Sequence, residues 1–253
     1  MTAKARVGLF VTCLVDLVRP SAGFSAAKLL EDAGCEVHVP RAQTCCGQPA
    51  WNEGADRDAA GIARRVVDAF EGFDYVVAPS GSCAGMLRNH YPDVLKNDDA
   101  YAPRARALAA KSHELVSFLV RMCGVEGVRA KCAAKACYHD SCSALREMGV
   151  RAEPRQLLAT VDGLTLTDLR DPEVCCGFGG LFSVKYPEIS ERMADDKIAD
   201  ARGAGAELLI GPDLGCLLHL AGRMERQGKA MRVRHVAEIL AGMADEPGIG
   251  EAE

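Results

Sequence analysis

Apolar residues along the chain fall into short runs separated by stretches with helical spacing. Val7–Val11 is the first run, and Glu36–Pro40 and Tyr75–Pro79 follow it. Between the last two, Ala59, Ala63, Val66, Val67 and Phe70 recur at i, i+4, i+7, i+8 and i+11, which is one face of a helix. The same order begins again at Ala136. Ala136–Cys142 is a short run, Leu164–Leu169 a second and Glu207–Pro212 a third; before the last, Ala194, Ile198 and Ala201 keep helical spacing. Each half is expected to close with a helix, around His113–Met122 and Val233–Met243. Segment 88–111, with Asn97-Asp98-Asp99 and Pro103, has no counterpart of equal length and reads as a surface excursion. Segment 242–253 reads as a frayed tail.

Strands alternating with helices imply βαβ units and parallel sheets. The predicted fold is therefore α/β: two pseudo-symmetric Rossmann-like halves with small, mostly parallel sheets. The expected domains are 1–127 and 128–253, with the boundary in the region 124–131.

Cysteine positions repeat with the same period. Cys13, Cys45, Cys46 and Cys83 form one set, and Cys142, Cys175, Cys176 and Cys216 another. Corresponding members differ by 129, 130, 130 and 133 positions, and glycine follows both vicinal pairs, at Gly47 and Gly177. A near-constant offset with identical internal order marks an internal repeat. Cys13, Cys83, Cys142 and Cys216 follow the ends of predicted strands, where open parallel sheets bind ligands.

The 253 residues carry 12 cysteines, 49% hydrophobic residues, 5% aromatics and a net charge of −5. The acidic balance and scarce aromatics argue against a nucleic-acid partner. Val7–Val11 is too short for a signal-peptide core, and no run approaches the roughly 20 apolar residues of a membrane span. A soluble, cytoplasmic protein is expected. Where thiols are kept reduced, so many cysteines point to metal or redox work rather than to disulfides. Cys35, Cys123, Cys132 and Cys137 have no partner at suggestive spacing and read as small apolar core residues.

The vicinal pair is the informative element. Two adjacent thiolates do not easily take two vertices of one tetrahedral zinc site, but they readily bind different irons of a cluster. Thiolates are soft donors suited to iron–sulfur cores. Zinc sites usually show Cys-x-x-Cys knuckles, and neither half has one. Glycine after the pair permits φ > 0 and lets backbone N–H groups approach a cluster. The ligands of one or two clusters are thus expected to be Cys13, Cys45, Cys46 and Cys83, and Cys142, Cys175, Cys176 and Cys216. A thiol–disulfide enzyme using the vicinal pairs without iron is the competing chemistry.

These motifs resemble the cysteine-rich CCG domain, which occurs in pairs in heterodisulfide reductase. More narrowly, CCGFGGLFSVKYPEIS (Cys175–Ser190), YHDSC (Tyr138–Cys142), PSGSC (Pro79–Cys83) and DLGCL (Asp213–Leu217) are similar to the lactate utilisation protein A family, over nearly the whole chain. The resemblance implies an oxidoreductase subunit that acts with two partner subunits to oxidise L-lactate to pyruvate. The chain departs from the wider CCG pattern at Ser80-Gly81-Ser82-Cys83 and Asp213-Leu214-Gly215-Cys216, where that pattern has Cys-x-x-Cys. Four motif thiols per half suit a four-iron cubane, or a non-cubane cluster with an oxygen ligand or an open iron.

The chain lacks the Cys-x-x-Cys-x-x-Cys run of ferredoxins, so an electron relay would come from a ferredoxin-type partner subunit. The implied substrate is a small 2-hydroxy acid. Alternative roles are a non-catalytic scaffold bearing the clusters, or a subunit of another 2-hydroxy-acid or heterodisulfide oxidoreductase. The catalytic residues are not assigned. His139-Asp140 reads as a proton-transfer pair, a neighbour steering the cluster ligands, or a strand-end histidine bonded to backbone. Lys185 and Tyr186 are candidates for holding a carboxylate, or a solvated face. Gly177–Gly180 reads as room for a cluster rather than as a phosphate-binding turn, since it lacks the G-x-G-x-x-G spacing. His90, His113, His219 and His235 read as structural.

Overall fold

The computed structural model describes residues 4–229, 231–245 and 247–251. The chain divides into two compact units between Gly124 and Val125. Each holds one four-stranded sheet with every strand pair parallel. In the first, β1 (Arg6–Leu9), β2 (Glu36–His38), β3 (Tyr75–Ala78) and β4 (Ser112–Glu114) lie in the order β2-β1-β3-β4. In the second, β5 (Lys131–Tyr138), β6 (Asp162–Thr167), β7 (Leu208–Gly211) and β8 (Arg232–His235) lie in the order β6-β5-β7-β8. The register repeats as well: Val7 faces Val37 and Tyr75, and Ala136 faces Leu166 and Leu208.

The central strands are written as near-continuous apolar runs because helices cover both of their faces. Val7, Leu9, Val76 and Val77 are buried in the first sheet, as are Ala136, Cys137, Leu209 and Ile210 in the second. Helix Asp56–Phe70 packs against the first sheet through Ala59, Ala63, Val66, Val67 and Phe70, the residues that its 3.6-residue period selects. Helix Pro187–Gly203 does the same in the second half through Ala194, Ile198 and Ala201. From β1 the chain steps outward to β2, then crosses back to β3. This reversal leaves the carboxyl ends of β1 and β3, and of β5 and β7, side by side, the place where open α/β sheets bind ligands.

Three expectations are corrected. Each closing helix is preceded by a fourth strand: β4 leads into Leu115–Arg121 and β8 into Val236–Ala241. These strands carry polar residues whose needs are met locally. Glu114 is buried because it caps its helix, accepting from Val116 N–H at 3.0 Å and Ser117 N–H at 2.8 Å. Segment 88–111 is not a surface excursion, since Tyr91, Leu95, Ala105 and Leu108 on its helical turns are buried. The described part of the tail is anchored as well: Ile249 is buried, and its N–H donates to Val233 O at 2.9 Å. Residues 246, 252 and 253 of that tail lie outside the described residues. Among the described residues no helix is long and apolar enough to cross a membrane.

Candidate metal centre

Each thiol set is assembled from three loops at one sheet edge. Cys13 is the first residue of helix Cys13–Val18, just after β1, and Cys142 opens helix Cys142–Arg146, just after β5. Cys83 is the third residue of helix Gly81–Gly85, after β3, and Cys216 the third of Leu214–Arg226, after β7. The vicinal pairs lie in the loops that leave β2 and β6. Thr12, Ser80 and Ser141 cap three of these helices, accepting from Val15, Cys83 and Ala144 N–H. The capping residue, one to three positions before each of these thiols, fixes the turn that presents it.

The structure brings both predicted sets together. Cys13 Sγ lies 3.8 Å from Cys45 Sγ, and the contacts continue from Cys45 to Cys46 and on to Cys83. In the second half they run from Cys142 to Cys175, Cys176 and Cys216. Cys46, Cys83, Cys176 and Cys216 are buried, and the other four are partly open. One sulfur in each set collects donors. Cys45 is held far below the usual thiol range because Cys13 and Cys46 donate to it, with the Gly47 N–H 3.5 Å away. Cys175 is lowered in the same way by Cys142 and Cys176, with the Gly177 N–H at 3.4 Å. Cys216 is drawn down to about 7, first by Cys176 and then by His139. Each set is thus a compact cluster of soft donors in which at least one thiol is drawn down by its neighbours.

The two glycines explain how the vicinal pair turns into its helix. Gly47 has φ 82° and Gly177 φ 86°, a left-handed conformation that side chains disfavour. Thr12 does carry a side chain at positive φ, 76°, immediately before Cys13. Such a β-branched residue stores about 1–3 kcal/mol of backbone strain. Thr12→Gly is expected to raise the stability of the apoprotein by roughly 1 kcal/mol, since glycine also replaces a threonine cap at small cost. The urea midpoint measures this, and an unchanged or lower midpoint would disprove the strain.

Side-chain hydrogen bonds tie down the vicinal loops. In the first half Gln43 bridges to the end of β1, accepting from Val11 N–H at 2.9 Å and donating to Leu9 O at 3.4 Å. Tyr91 OH donates to Cys46 O at 2.9 Å. In the second half buried Lys197 donates to Asp171 O at 2.6 Å and Pro172 O at 3.3 Å. Asp200 accepts from the Arg170 and Asp171 N–H groups, both at 2.9 Å, and Ser190 OH donates to Gly177 O at 2.8 Å. Lys197→Ala removes two charged hydrogen bonds and leaves a void, so it is expected to cost about 2–4 kcal/mol. Hydrogen exchange should show the loss concentrated in residues 170–177.

His139 and Asp140 do not form a pair. Asp140 is held by Arg155 in a two-bond contact of 2.9 and 2.6 Å. His139 is fully buried and lies instead beside Cys176 and Cys216; its ring nitrogen and the two sulfurs are within 4.8 Å of one another. Cys35 and Cys123 are not separate core thiols either, since their sulfurs meet at 3.9 Å. Cys137 is buried in the sheet and Cys132 is partly exposed on β5. Lys185 and Tyr186 are exposed. His113, lowered to about 4 by burial, stacks with Tyr75 and Phe118, and His235 caps its helix, so both are structural. His219 shares Ser190 OH at 3.2 Å and packs near Phe178, which itself covers Gly215. Sequence reading missed the roles of Lys197, Gln43 and Tyr91, which carry no motif.

The cysteine-rich domain family CCG matches the chain twice, over residues 7–88 and 136–221. The lactate utilization protein A of Bacillus subtilis is 47% identical over 235 residues, covering 93% of this chain and 98% of the relative. That of Geobacillus kaustophilus is 48% identical over 235 residues, with the same coverage. Among solved structures, a hypothetical protein from Helicobacter pylori superposes with a TM-score of 0.65 at 11% identity, covering 96% of this chain and 50% of that one. At that identity the likeness concerns the fold alone.

Proposed function

The chain belongs to the lactate utilization protein A family and carries its cysteine-rich CCG domain in both halves; from that premise we propose that it is a cytoplasmic iron–sulfur subunit of a complex oxidising L-lactate to pyruvate. The observation that carries the reading is the convergence of four thiols at the switch point of each sheet. The residues fit such a group. All eight donors are soft, each set holds a lowered thiol, and both vicinal pairs turn through a glycine that leaves backbone N–H groups facing sulfur.

Cys13, Cys45, Cys46 and Cys83 would hold one four-iron cluster, and Cys142, Cys175, Cys176 and Cys216 a second. Such a cluster supplies one-electron transfer when bound. Lactate becomes pyruvate by releasing two electrons and two protons, so the pair is split into single steps and passed onward. The protein's own part is to bury two sulfurs of each set, to donate the Gly47 and Gly177 N–H groups to Cys45 and Cys175, and to hold the vicinal loops rigid. No ferredoxin-type cysteine run exists in the chain, so the onward relay is assigned to a ferredoxin-type partner within a three-subunit assembly. Exposed apolar side chains close to each set in sequence, Leu17, Val18 and Phe24 in one half and Val184, Tyr186 and Ile189 in the other, support such docking.

Anaerobic purification followed by iron, sulfide and EPR analysis tests this. Iron with acid-labile sulfide, and bleaching of visible absorption by lactate in the reconstituted complex, are the expected results. Zinc without sulfide in anaerobic protein would remove the cluster, and a coloured complex that lactate never bleaches would leave only a scaffold.

A further inference from the structure

The two sets are not chemically alike. Phe10 and His139 occupy the same place in the repeat. Phe10 N–H donates to Val77 O and His139 N–H to Ile210 O, both at 2.8 Å, each joining the end of the first strand to its crossover neighbour. Both side chains are fully buried. Phe10 packs on Phe70 at 5.6 Å and offers no donor atom. His139 brings two nitrogens into the second half, and neither has a hydrogen-bond partner other than the Cys216 sulfur beside it. An unpartnered buried polar group costs about 1–3 kcal/mol, and such exceptions in native structures call for a reason. The usual relief is closed off, because Asp140, the adjacent carboxylate, is taken by Arg155. What His139 does face is Cys176 and Cys216.

We propose that His139 is a fifth donor of the second set, placing an imidazole nitrogen on the metal beside Cys142, Cys175, Cys176 and Cys216, while the first set is sulfur-only. The inference rests on the reading that the second set holds iron. Imidazole is an accepted donor to iron alongside thiolate, and unlike thiolate it adds no negative charge to the site. The two centres of one chain therefore differ in ligand chemistry.

The test uses the full chain, reconstituted anaerobically with iron and sulfide and labelled with 15N-histidine. In the Cys46→Ser variant, where the second set remains intact, pulsed EPR of the paramagnetic state should show a strong histidine-nitrogen coupling of a directly bonded ligand. The coupling should vanish in Cys176→Ser, which leaves only the first set. It should also vanish in Cys46→Ser/His139→Phe, whose phenylalanine copies the residue that the first half already folds around. His139→Gln provides a second, polar replacement should the phenylalanine fail to pack. A shifted midpoint potential of the second centre, with that of the first unchanged, is expected in both replacements. Iron and sulfide bound with no coupling, or with only the weak coupling of a hydrogen-bonded imidazole, would overturn the fifth donor and leave the cluster standing. A chain that takes up no iron would remove both.

Discussion

Cys176→Ser is expected to abolish lactate-dependent reduction of an acceptor by the reconstituted complex, and Cys46→Ser to do the same. Each is the buried member of its vicinal pair and lies between two sulfur neighbours: Cys46 between Cys45 and Cys83, Cys176 between Cys175 and Cys216. Serine keeps the shape but replaces a soft donor by a hard, scarcely ionised one, so the affinity for iron collapses rather than declines. Iron content should fall by about half in each variant, since each half loads separately. Cys132→Ser is the control: it lies at the start of β5, away from both sets, and should retain full activity and iron. Full activity in Cys176→Ser would make the second half a structural relic and end the two-centre mechanism.

What could be read from the sequence follows from what was written into it redundantly. The central strands were legible because burial on both faces demands unbroken apolar runs, as in Tyr75–Ala78 and Leu208–Gly211. The edge strands β4 and β8 were not. Ser112–Glu114 and Arg232–His235 are short and polar, and they merge with the helices that follow them. Their buried polar groups are satisfied by partners close by, such as the Leu108 O that accepts from Ser112 OH at 2.8 Å. The thiol sets were legible because spacing alone repeats them. The fate of Asp140 was not, because Arg155 has no signature that distinguishes a buried clamp from a solvated charge. His139 was visible as a histidine but not as a partnerless one, since the absence of a hydrogen bond exists only in three dimensions. Writing the halves against each other would have set it opposite Phe10, which was the one sequence signal available.

Gly177→Ala should be far more damaging than Gly47→Ala, although the two glycines hold the same place in the repeat. Both require positive φ, which alone costs a side chain about 1–2 kcal/mol. The surroundings then separate them. A Cβ on Gly47 would meet Ile62 Cγ2 at 3.2 Å and Ile62 Cβ at 3.4 Å, with Ala59 O in ordinary contact at 3.8 Å, so a small shift of one side chain accommodates it. A Cβ on Gly177 would sit 2.5 Å from Ser190 O and 2.9 Å from Met193 Cβ. Ser190 O belongs to the backbone of helix Pro187–Gly203, which cannot give way without moving Lys197 and Asp200, the residues that tether the Cys175-Cys176 loop. Ser190 OH also donates to the Gly177 carbonyl, so the contact is fixed from both sides. The expected cost is therefore about 4 kcal/mol or more for Gly177→Ala, against roughly 1–2 for Gly47→Ala, read from urea midpoints of the apoproteins. Iron uptake should follow the same order, because displacing Gly177 also withdraws its N–H from Cys175. Equal midpoints for the two variants would mean that the helix yields easily, and that the second vicinal pair is not held as rigidly as its three tethers imply.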